Sequence, residues 1–108
     1  MDDLTRRTFP TLDAVLAEGS LVTGQVQALS AEAATLMAEA PDEQARAEAG
    51  RLGAALDELS RTLEADRVLR LGSPPPSQEQ LSYSTALIRQ QAEQLQGLLR
   101  PPPADMPA

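Results

Sequence analysis

Cysteine, histidine, lysine and tryptophan are all missing from this chain, and Phe9 and Tyr83 are its only aromatic residues. Without cysteine there is no disulfide and no thiolate chemistry, and zinc sites of the Cys/His kind are excluded. The lack of histidine removes the commonest general base near neutral pH, and the lack of lysine removes any Schiff base. A carboxylate-only mechanism stays open, but the residue menu points to a protein that is not an enzyme and takes no cofactor. No stretch approaches the roughly 18 apolar residues of a membrane span.

What is present is a 108-residue chain, enough for one domain with one modest core. Hydrophobic residues make up 42% of it and are mostly leucine, valine and alanine. So few β-branched and aromatic side chains favour helices over a sheet. Sixteen Asp and Glu against nine Arg give a formal net charge of −7. That surface repels phosphate backbones, and its arginines are interleaved with acids, so nucleic acid is not an expected partner. Arginine as the sole cation matches a GC-rich bacterial genome, a compositional association rather than a physical inference.

Two segments superficially match targeting signals. Thr5-Arg6-Arg7-Thr8-Phe9 fits a twin-arginine pattern, but Pro10, Asp13 and Glu18 follow in place of an apolar stretch. Ala38-Glu39-Ala40 resembles a cleavage site behind a segment that is amphipathic and acidic, as an Ala-rich helix produces by chance. The expectation is a cytoplasmic protein.

Hydrophobic spacing predicts three long antiparallel helices with coiled-coil-like heptad packing. Residues 1–9 show no clear period and read as a flexible N-terminal arm, with residues 10–99 forming the three-helix domain. Helix 1 is expected over about 10–40, with Pro10 in its first turn. Its stripe is Leu12, Val15, Gly19, Val22, Val26, Leu29, Ala33, Leu36 and Ala40, alternating steps of four and three after an initial step of three. Helix 2, about 41–70, opens on Pro41-Asp42-Glu43 and carries Ala45, Ala49, Leu52, Leu56, Leu59 and Leu63. Its stripe then meets Asp66 and Arg70, so the last turn should rotate its contact face or end early. Glu48 with Arg51, Asp57 with Arg61 and Asp66 with Arg70 are helix-spaced pairs of a solvated face.

Gly72-Ser73-Pro74-Pro75-Pro76 stops helix 2, and Ser77 with Gln80 forms a capping-box pattern that opens helix 3, about 77–99. Leu81, Ile88, Ala92, Leu95 and Leu99 form its stripe. The Pro-rich tail, residues 100–108, has almost nothing to bury and is expected to be disordered.

Helix 1 has a second, small-residue stripe, Ala14, Ala17, Leu21, Gly24, Ala28, Ala31, Thr35 and Ala38. A helix apolar on both sides is normally covered on both, so helix 1 is expected to be central and the domain to pair as a homodimer into a larger bundle. Ala14, Ala17, Leu21, Gly24, Ala28 and Ala31, with the off-stripe Val68, Leu69 and Leu71, are the candidate interface residues. The Ala-rich ends of helices 1 and 2, Ala31–Ala40 and Ala45–Ala55, should let those two axes approach closely.

Other chemistries have plainer explanations. Glu39, Asp42 and Glu43 cluster as a possible cation site, yet acids at a helix start answer the dipole alone, and no metal is expected. Ser60, Ser77, Ser82, Ser84 and Tyr83 have no His or Lys to activate them. Arg100-Pro101-Pro102-Pro103 lacks the second spaced proline of a groove ligand. The function that follows is a helical protein–protein interaction module, an adaptor, small chaperone or assembly subunit. The competing reading is an amphipathic coat on a lipid or polymer inclusion without stable membrane insertion. In size and helical content the chain resembles small secreted helical hairpins and secretion chaperones. It lacks the hairpins' Trp-x-Gly turn, reading Ala40-Pro41-Asp42 instead, and is assigned to no family.

Overall fold

A computed structural model describes residues 2–99, and the predicted Pro-rich tail, residues 100–108, lies outside them. The described residues are almost entirely helical and contain no strand. Four helices are present where three were predicted: α1 (Asp2–Glu18), α2 (Thr23–Ala38), α3 (Glu43–Arg70) and α4 (Gln78–Leu99), with a 3-10 turn at Gly19–Val22.

The predicted single helix over 10–40 is therefore two helices. Gly19 breaks it by adopting φ +61°, the left-handed region that an L side chain rarely enters. The chain reverses there, and α1 folds back along α2 so that the Arg7 guanidinium donates to Glu32 Oε1 at 3.0 Å. The predicted arm at residues 1–9 is also corrected, because α1 begins at Asp2. Leu4 and Thr8 are buried in line with Leu12 and Val15, and Thr8 is tolerated inside because its hydroxyl donates to the Leu4 carbonyl at 2.7 Å. Pro10 consequently lies within α1 and not in its first turn.

Each helix packs on the next, and α1 packs on α4, which closes the ring. Heptad-spaced residues fill the centre: Leu12, Val15, Val22, Val26, Leu29 and Ala33 from the first hairpin, Leu52, Leu56, Leu59 and Leu63 from α3, and Ile88, Ala92 and Leu95 from α4. The α2/α3 pair is close at its Ala-rich end, as expected, since a Cβ on Gly53 would meet Ala33 Cβ at 3.3 Å. Within the subunit helix 1 is not covered on both sides; its α1 half lies on α4 and its α2 half on α3, which leaves most of the second stripe exposed.

The caps follow the local sequence. Asp42 Oδ1 accepts from the Ala45 amide at 2.8 Å, so α3 starts at Glu43 with Pro41 outside it. Gln80 N–H donates to Ser77 Oγ at 3.2 Å while Ser77 N–H donates to Gln80 Oε1 at 2.8 Å, completing the capping box of α4. Among the helix-spaced pairs, Asp57–Arg61 and Asp66–Arg70 close at 2.8 Å, whereas Glu48 and Arg51 form no ion pair. No described helix is long and apolar enough to cross a membrane.

Candidate functional site

The end of the bundle where α1 turns into α2, and where α3 gives way to α4, gathers most of the unusual residues. Asp66 occupies the heptad position after Leu63 and is 1% exposed. The predicted failure of the stripe is thus a polar substitution within it: α3 neither rotates nor ends early, and the core simply contains a carboxylate. Ser84 Oγ of α4 donates to Asp66 Oδ1 at 2.6 Å, and Arg70 Nε donates to Oδ2 at 2.8 Å. Ser20, in the turn, stands beside the carboxylate and helps to keep it charged. Burial pushes the Asp66 carboxyl up, but the bonds from Arg70 and Ser84, the nearby Ser20 and the charge of Arg70 outweigh it and leave it below the usual aspartate range. One carboxylate thereby ties α3 to α4 beside the α1/α2 turn.

A pocket of about 410 Å³ opens beside this junction, with Ala17, Leu21, Arg70, Thr85 and Arg89 among its lining residues. On the same end, Leu21 is 83% exposed, Leu71 72% and Val68 57%. Sequence positions almost fifty residues apart are thus brought to one end by the up-and-down path of the chain, with Leu21 in the first turn and Val68 and Leu71 at the close of α3.

The remaining predicted interface residues divide. Ala17, Gly24, Ala28 and Ala31 are exposed, the last three along the open face of α2, whereas Ala14 is half-buried against the core. Leu69 is half-buried and lines a different feature, an open groove of about 970 Å³ between α3 and α4 whose walls include Ala65, Tyr83 and Leu87. Sequence reasoning missed this groove and the role of Asp66, Ser84 and Ser20. The signal for Asp66 was its place in the heptad; the groove had none, because it depends on how far two helices stand apart.

Ser84 donates to Asp66, an acid that Arg70 helps to hold in its ionised form, and among the described residues no group of three or more metal-ligating side chains gathers. Glu39, Asp42 and Glu43 are exposed at the α2/α3 connection, where Asp42 is the cap of α3. The arrangement offers apolar contact surface and a fixed polar joint. Compared with protein-family models, curated proteins and solved structures, the chain matches none.

Proposed function

We propose that this chain is a non-enzymatic helical interaction module that self-associates as a homodimer and offers helix faces to a protein partner. The observation that carries the reading is the exposure of Leu21, Val68 and Leu71, three large aliphatic side chains left in water towards the same end of the bundle. Burying one such side chain returns about 1.5–3 kcal/mol, while association itself costs roughly 4–15 kcal/mol. Three residues alone therefore support only a weak, exchanging contact. Ala17, Gly24, Ala28 and Ala31 extend the surface with small side chains that permit close approach of a second helix. Coiled-coil-like packing within the subunit accords with the heptad spacing of its buried residues, and a pair of subunits would continue the same geometry.

Light scattering after size exclusion, over a concentration series, tests the reading. A mass that rises from monomer to dimer is the expected result, with Leu21→Asp/Leu71→Asp shifting the protein back to monomer. A monomer at every concentration refutes self-association.

A further inference from the structure

The groove between α3 and α4 has a charge pattern as well as an apolar floor. Ala65, Leu69, Tyr83 and Leu87 contribute the floor, and Glu58 and Glu79 are acidic members of the lining. Neither acid has an ion-pair partner among the described residues, whereas Arg61, the cation of the lining, is held by Asp57 at 2.8 Å. The net charge of −7 deepens the negative field around it.

The antiparallel register fixes where the two acids stand. Asp66 faces Ser84, so Glu79, five positions before Ser84, stands level with Leu71, and Leu71 is thirteen positions beyond Glu58. At 1.5 Å per residue the acids are about 20 Å apart along the groove. A helix laid in it meets both with cations fourteen residues apart, a spacing of about 21 Å on one face, and presents apolar side chains to the floor from the positions between.

We propose that this groove receives a four-turn amphipathic helix of another protein, with basic residues at i and i+14 and apolar residues at i+4, i+7 and i+11. The proposal rests on the interaction-module reading and names the class of partner. A second copy of this chain does not supply the ligand, because no two of its nine arginines are fourteen residues apart.

Tyr83, 72% exposed and the only tyrosine in a chain without tryptophan, makes the intrinsic emission a reporter placed in the groove. The experiment titrates the full chain with a synthetic helix of Ala and Gln carrying Lys at i and i+14 and Leu at i+4, i+7 and i+11. A second peptide has Glu in place of both Lys. The Lys peptide is expected to saturate the Tyr83 signal and to bind about tenfold more tightly than the Glu peptide, from two exposed charge pairs changing sign. Glu58→Lys/Glu79→Lys, checked for unchanged helicity, should reverse that preference. No saturable signal from either peptide overturns the proposal, as does equal binding of both peptides to both proteins. A Tyr83 signal that changes with protein concentration alone also overturns it and seats a second copy in the groove. Self-association measured on the same sample separates this outcome from failure of the interaction reading, which does not depend on the groove.

Discussion

Replacing Asp66 by alanine removes the buried carboxylate that joins α3 to α4 beside the first turn. Its bonds from Ser84 and Arg70, at 2.6 and 2.8 Å, belong to the class that contributes about 1.5–3 kcal/mol each when one partner is charged. The Arg70 side chain is 47% exposed, so water screens that pair and its share falls to about 1 kcal/mol or less. Losing the charge and stranding the Ser84 hydroxyl should therefore destabilise the fold by about 2–4 kcal/mol at neutral pH. Asp66→Asn keeps an acceptor for Ser84 and should cost about 1 kcal/mol. The pH dependence has a definite sign. The folded-state pKa lies below the unfolded one, so the stabilisation is complete above about pH 4 and is lost as pH falls through the folded value. Urea unfolding followed by helical circular dichroism, at about pH 7 and again at about pH 3, measures both effects. The gap between wild type and Asp66→Ala should narrow in acid. A variant within about 0.5 kcal/mol of wild type at neutral pH, or a gap that does not narrow, refutes the view that the carboxylate secures the junction.

Two further perturbations use the same unfolding assay. Leu63→Ala empties a fully buried position directly before Asp66 in the stripe and should cost about 2–5 kcal/mol. The glycine in the first turn and the one just beyond it should respond with opposite signs. Gly24 lies inside α2 with open space around it, so Gly24→Ala should stabilise by about 0.5–1 kcal/mol. Gly19 holds φ +61°, so Gly19→Ala should destabilise by about 1 kcal/mol.

Composition and hydrophobic period determined the helical class and most of the buried stripes of α3 and α4, and the Ser77–Gln80 spacing determined the capping box of α4, whereas the cap of α3 is Asp42 and not a start at Pro41. These are local effects: Asp42 and Ser77 satisfy amides within three residues of themselves, and Gly72 with its following prolines stops α3 wherever it lies in the fold. The fold of the first forty residues was settled only in three dimensions. Val15 and Val22 are seven positions apart, so their heptad phase is the same for one straight helix and for two helices joined at Gly19. Glu18-Gly19-Ser20 carried a C-cap signal, but the pattern on both sides masked it. Asp66 reads as the end of a stripe in one dimension because its partner Ser84 lies on another element. Packing α1 on α4 and α2 on α3 decided which small residues face water, and the separation of α3 from α4 decided that there is a groove, since both depend on helix contacts that no local pattern encodes.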